Sequence, residues 1–263
     1  MGTRIELHLF GALDGDAVSE ARRAIEAVDD ALTIHRPSAT TGLNACLMAG
    51  REAIVTDPVL FDALVEIEAG WGLSLGLFDP AADARSRAGW PAIVFDREAG
   101  SIRASSPVAL DFGGFGKGFA LDRACAALRQ AGVRSALLSA GESSIAVVGE
   151  HPLGGGWPFV IPHPLQPGKD LVALDLQDEA LSISSTVGAG THAPDRAAMI
   201  RPGDGVVVTD PRSAIVVDHS GARAEMLSTA LLVADAARAD HLLEAHQARR
   251  FLFDFTHIGV VAA

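Results

Sequence analysis

The segment Asp111-Phe112-Gly113-Gly114-Phe115-Gly116-Lys117-Gly118 constrains this chain more than any other stretch. Glycines set directly before a helix let backbone N–H groups approach a bound anion, and the helix N-terminus adds a favourable dipole. Lys117 stands at the start of the helical run that follows, where its charge can meet a phosphate. The same glycines also serve as plain packing turns, and spacing alone does not separate the two uses. A Walker A loop is excluded, because Gly118 follows Lys117 where Ser or Thr belongs. The dinucleotide fingerprint GxGxxG is excluded too, because Gly114, Gly116 and Gly118 have the wrong final spacing.

The rest of the chain mixes helices and strands without a βαβ rhythm, which predicts an α+β fold of mixed sheets and packed helices over residues 1–263. Residues 1–11 alternate as a strand, and 16–33 carry Val18, Ala21, Ile25, Val28 and Leu32 at helical spacing. The polar stretch His35 to Asn44 reads as a loop, and Asp57-Pro58 opens a helix over 57–70. Strands are expected around the Gly100 turn, at 136–138, 145–148, 171–176, 181–185, 206–209 and 214–217. The glycine segment leads into a helix over 117–131 that ends at Gly132. The Gly- and Pro-rich stretch 149–169 reads as a loop or hairpin connection, 223–238 as one helix, and 251–261 as a closing strand.

Composition narrows the function classes. Of the 263 residues 49% are hydrophobic, enough for a sizeable core, and the formal net charge is -12. That acidic balance and the lack of a Lys/Arg cluster argue against nucleic-acid binding. No apolar run reaches the roughly 20 residues of a transmembrane segment. The first residues lack a signal peptide's basic start, so the chain as it stands is expected in the cytoplasm, or in the periplasm if a leader preceded Met1. Cys46 and Cys125 form no CxxC pair, so zinc and thioredoxin-type chemistry have no support. Gly141-Glu142-Ser143-Ser144-Ile145 lacks the closing glycine of a hydrolase elbow. Glu225 and Thr229 lie four residues apart, on one helix face, and both are hard oxygen donors of the kind magnesium takes. Equally, they read as a solvated Glu and a helix Thr bonded to its own backbone.

Asp111 to Asp122, DFGGFGKGFALD, resembles the DLGGIAKGYAVD signature of the FAD:protein FMN transferases, the ApbE family. Further elements resemble the family's in the same order: Met1-Gly2-Thr3, His35-Arg36-Pro37 through Leu43-Asn44, Phe78-Asp79-Pro80, Ser139 to Ile145, and Ala224 to Leu231. The resemblance implies magnesium held by Glu225, Thr229 and the Gly114 carbonyl, with FAD as substrate. It implies flavin contacts from Met1, His35, Leu77, Phe78, Asp79, Asp111, Lys117 and Ile200, Asp111 accepting from flavin or ribose. Glu225 replaces the family Asp and adds a methylene. The family's Ser-His-Ile-Ile-Asp-Pro reads here Ala197-Ala198-Met199-Ile200-Arg201-Pro202, so its His and Asp are replaced. His192 is then the nearby candidate base, with Lys117 as the second catalytic residue. The implied reaction moves FMN from FAD to a Thr or Ser hydroxyl of an acceptor flavoprotein and releases AMP. An FAD pyrophosphatase, or an FAD-binding protein without turnover, are the alternatives.

Overall fold

The computed structural model describes residues 2–11, 16–82, 88–187, 199–244 and 249–256. Its centre is laid down by β1 (Ile5–Leu9), β5 (Ser135–Ala140), β6 (Ser144–Gly149), β9 (Ala180–Ser185), β10 (Arg212–Asp218) and β11 (Arg249–Asp254). In that order they form one six-stranded sheet, antiparallel at each pairing. The run Ala214-Ile215-Val216-Val217 is apolar without alternation because both faces of its strand are covered. Ala214 and Val216 enter the main core, while Ile215 and Val217 enter a second, smaller one.

The main core is closed by α1 (Ala17–Leu32), α2 (Ala39–Met48), α3 (Pro58–Leu73), α4 (Gly116–Gln130) and α5 (Gly221–Val233). The second core lies under a hairpin of β7 (Trp157–Pro162) and β8 (Asp170–Leu176), which lays Trp157, Ile161, Leu174 and Leu176 against the sheet. A small sheet of β2 (Ala53–Ile54), β4 (Ser101–Ala104) and β3 (Ile93–Asp96) packs beside α2 and α3. The α+β expectation holds, and Asp57 caps α3 by accepting from the Leu60 N–H at 2.9 Å. No helix among the described residues is long and apolar enough to cross a membrane.

Six expectations change. The His35–Asn44 loop ends early, because Ser38 and Thr41 form a reciprocal capping box that starts α2 at Ala39. Part of the 149–169 connection is the strand β7, whose Pro158 and Pro162 sit in a two-stranded ribbon that tolerates them. The run 206–209 is no strand; Val207 makes one isolated bridge to Ile200 across a turn in which Gly203 and Gly205 have φ +88° and +69°. The helix expected over 223–238 is two helices, because Ala234 is extended and Asp235 caps α6 (Ala236–Leu243) through the Arg238 N–H at 2.9 Å. Val18 points to solvent at 45% exposure, and Ala17 takes its expected place in the core. The closing strand ends at Asp254, and residues 257–261 of the expected strand lie outside the described residues.

Candidate active site

The glycine segment is held at both ends before it reaches α4. Asn44 donates from Nδ2 to the Leu110 carbonyl at 2.9 Å and accepts the Leu110 N–H on Oδ1 at 2.8 Å. This two-way clamp is the physical use of the Leu43-Asn44 element. Asp111 donates its N–H to the Pro80 carbonyl at 2.8 Å, which ties the segment to Phe78-Asp79-Pro80. Its Oδ1 accepts the Gly113 N–H at 2.9 Å, and the chain then turns into α4 as the Gly116 N–H donates to the Phe112 carbonyl at 2.8 Å.

What brings the distant motifs together is the contact of α4 with the start of α5. A Cβ on Gly118 would stand 2.1 Å from the Gly221 carbonyl oxygen, a separation no side chain survives. Only glycine permits that approach of two helix backbones. Asp122, one turn further on, caps α5 from across the contact. It accepts the Gly221 N–H at 2.6 Å, the Ala222 N–H at 3.0 Å and the Ser220 hydroxyl at 2.8 Å. Burial pushes its carboxyl pKa up, against the pull of those three donors. The glycine signature is thus first a joint between two helices.

The joint places Lys117 Nζ 2.7 Å from Glu225 Oε1. The Ser144 hydroxyl, from the start of β6, donates to the same oxygen. Glu225 is only 3% exposed, and its Oε2 is buried with no hydrogen-bond partner among the described residues. A buried carboxylate oxygen left so is costly and calls for a cation or donor. One turn along α5, Thr229 faces the glycine segment: a methyl group on Gly114 would lie 3.3 Å from Thr229 Oγ1 and 3.3 Å from the Phe78 ring. Glu225, Thr229 and Gly114 are therefore neighbours, and their oxygens are the hard donors that suit magnesium. No group of three or more His, Cys, Asp or Glu side chains that would suit a metal occurs among the described residues. Behind Glu225, the Ser228 hydroxyl bonds to those of Ser182 and Ser184 at 3.0 and 2.9 Å and donates to the Glu225 carbonyl at 3.1 Å, fixing that turn of helix.

One cavity adjoins this centre, and a second lies at Asp79, next in sequence to the Phe78 that packs on Gly114. The first, about 230 Å³, is walled by the end of α1 and the glycine segment, and brings His35, Asp111 and Lys117 together. The second, about 190 Å³, brings Asp79 and Ile200 together with Trp71, Pro91 and Arg201. Leu77 and Phe78 are buried in the core between these walls. Asp79 lines the second cavity but is also a turn cap, accepting the Trp90 N–H at 2.8 Å and the Ala81 N–H at 2.8 Å. Burial raises its pKa against those donors. The altered segment Ile200-Arg201-Pro202 forms a wall of the cavity and does not fill it. Arg201 donates to the Val233 carbonyl at 3.0 Å and pairs with Asp204, so its charge secures the end of α5. Met1, His192 and Ala198 lie outside the described residues.

Sequence reasoning missed Ser144, Asn44 and Asp122 as determinants of the site. Asp122 offered a signal, since it closes the signature on the face of α4 that Gly118 also occupies. Ser144 offered only its place in the Ser139–Ile145 element, because its partner is 81 residues away.

The ApbE family model matches residues 81–253, about two thirds of the chain, and the chain belongs to the ApbE family. Solved structures share its fold. The flavin transferase ApbE from Vibrio cholerae superposes with a TM-score of 0.82 at 19% identity, over 98% of this chain and 92% of that one. The apo form of the Pseudomonas stutzeri flavinyl transferase ApbE gives 0.77 at 21% identity, over 96% and 91%. An ApbE protein from Thermotoga maritima gives 0.75 at 18% identity, over 92% and 86%. No curated protein sequence gives a significant match.

Proposed function

We propose that this chain is a magnesium-dependent FAD:protein FMN transferase, with FAD as donor, a Thr or Ser hydroxyl of a flavoprotein as acceptor, and AMP as leaving product. The observation that carries the reading is the buried, unpartnered Glu225 Oε2 beside Thr229 and Gly114, with Lys117 on the neighbouring oxygen. Family membership and the fold shared with the flavin transferases of Vibrio cholerae and Pseudomonas stutzeri support it.

Glu225, Thr229 and the Gly114 carbonyl would hold the ion. When bound, magnesium neutralises charge on the pyrophosphate and its leaving oxygen. Lys117 sets an ammonium beside the same phosphates, and the start of α4 adds its dipole. Ser144 and Lys117 orient the Glu225 carboxylate by engaging one oxygen and leaving the other for the ion. The two cavities would take the two ring systems of FAD: His35 and Asp111 in one, Asp79 and Ile200 in the other. The acceptor hydroxyl oxygen then bonds to the phosphorus of the FMN half, the phosphorus–oxygen bond to AMP breaks, and the hydroxyl proton passes to a base. His192 is our candidate for that base.

The test is mass spectrometry of an acceptor flavoprotein co-expressed with this chain, alongside chromatography of FAD incubated with the protein and magnesium. The reading predicts an acceptor heavier by one FMN and AMP formed in step. FMN and AMP released without acceptor modification would make the chain a pyrophosphatase. Bound FAD with neither product would make it a binding protein.

A further inference from the structure

Lys117 stands in the first turn of α4, where the helix dipole disfavours a positive charge. What compensates it is Glu225, whose Oε1 lies 2.7 Å from Nζ. The two side chains are buried unequally: that of Glu225 is 3% exposed and that of Lys117 24%. Lys117 also lines the first cavity, with His35 and Asp111. It therefore borders both the cavity and the buried carboxylate. The formal charge of this contact is zero, since Glu225 and Lys117 cancel and the Ser144 hydroxyl adds nothing. A divalent cation on Oε2 would meet the ammonium across a single carboxylate, and like charges that close repel strongly in a dry interior. The cation alone would leave the contact with its two positive charges uncompensated. A diphosphate supplies the missing negative charge, and both cations can share it. Asp111, on the cavity wall, contributes equally with and without Lys117.

We propose that Lys117 is a placeholder cation. It balances Glu225 in the empty site and keeps divalent cations off Oε2 until a diphosphate arrives, so that metal and nucleotide enter as a pair. The proposal rests on the magnesium and FAD reading above and adds an order of binding to it. By linkage, each of the two ligands tightens the other by the same factor. Lys117 sets the size of that factor, because it weakens the cation when the cation comes alone.

The test uses Mn2+ as a divalent probe, followed by the electron paramagnetic resonance signal of the free ion. Wild type, Lys117→Met, and Lys117→Met combined with Glu225→Gln are titrated with and without FAD, and melted in chelator and in Mn2+. Wild type is expected to bind Mn2+ about tenfold or more tightly with FAD than without. Without FAD, Lys117→Met is expected to bind Mn2+ about tenfold more tightly than wild type, and the gain to vanish in the double variant. In chelator Lys117→Met should melt below wild type, because Glu225 has lost its counter-ion, and Mn2+ alone should restore most of that loss. A packing role for Lys117 would give the drop without the rescue, and would overturn the proposal. Lys117→Gln, which keeps a donor for Oε1, carries the same predictions should Met prevent folding. Wild type that holds Mn2+ as tightly without FAD as with it, or a folded Lys117 variant that gains no affinity, overturns the proposal alone. Wild type that takes up no Mn2+ even with FAD overturns the metal reading, and the proposal with it.

Discussion

The two halves of the site are built on different principles. On the α4–α5 side almost every polar atom is spoken for. Asp122 takes three donors, Asn44 clamps Leu110 from both sides, and Glu225 shares one oxygen between Lys117 and Ser144. The exception is Glu225 Oε2. On the other side, around the second cavity, the wall is a turn under strain, a cap and the Ile200–Val207 bridge. The first half has the rigidity that phosphate and metal chemistry requires, since a misplaced donor loses most of its effect. The second half is held by fewer hydrogen bonds, and Arg201 within it secures the end of α5. Of the 197–202 segment, Ile200, Arg201 and Pro202 lie on this second side.

Breaking the rigid half should cost most. Gly118→Ala would press a methyl group into the Gly221 backbone, and is expected to lose about 3 kcal/mol of stability or more in denaturant unfolding. A variant as stable as wild type would show that the two helices do not need their close approach. Asp122→Ala removes three bonds at the start of α5, leaving it only the N-cap Ser220, and should cost about 2 kcal/mol. Here pH sharpens the comparison. Asp122 and Asp79 both have folded-state pKa values raised above the ordinary 3.8 by burial. At these two carboxyls the folded state therefore binds more protons than the unfolded one above pH 3.8, and their contribution to stability falls as pH rises through the window up to the raised values, against the opposite contribution of Asp29, Asp178, Asp204, Asp235 and Asp254, whose pKa values are lowered. Asp122→Asn should remove its share of that fall, read as the difference between variant and wild type in chemical unfolding from pH 4 upward. An unchanged slope in the variant would remove Asp122 as its source.

The second half should yield the smallest effect. Arg201→Ala loses its bond to the Val233 carbonyl and a half-exposed pair with Asp204, so about 1 kcal/mol is expected, with magnesium dependence untouched. Loss of metal-dependent binding in this variant would erase the division between the halves.

The same contrast governs what the sequence made legible. The glycine signature, the Glu225–Thr229 face and the Asp57-Pro58 helix start are local patterns, each written within a few adjacent residues. Their structural reasons became visible only in three dimensions: Gly118 is glycine because of Gly221, 103 positions on, and Asp122 is acidic because of another helix's N-terminus. The break between α5 and α6 was hidden, since its apolar residues keep helical spacing across it. What ends α5 is Arg201 and Arg212 reaching its last carbonyls from elsewhere in the chain.

In the proposed function, Glu225 Oε2 is left open for a divalent cation that meets the nucleotide. Calorimetric titration with FAD, with and without magnesium, on wild type and Glu225→Ala addresses it directly. Magnesium is expected to tighten FAD binding to wild type and to have no such effect on the variant. Wild-type binding indifferent to magnesium, or a variant that keeps the full magnesium effect, would contradict it.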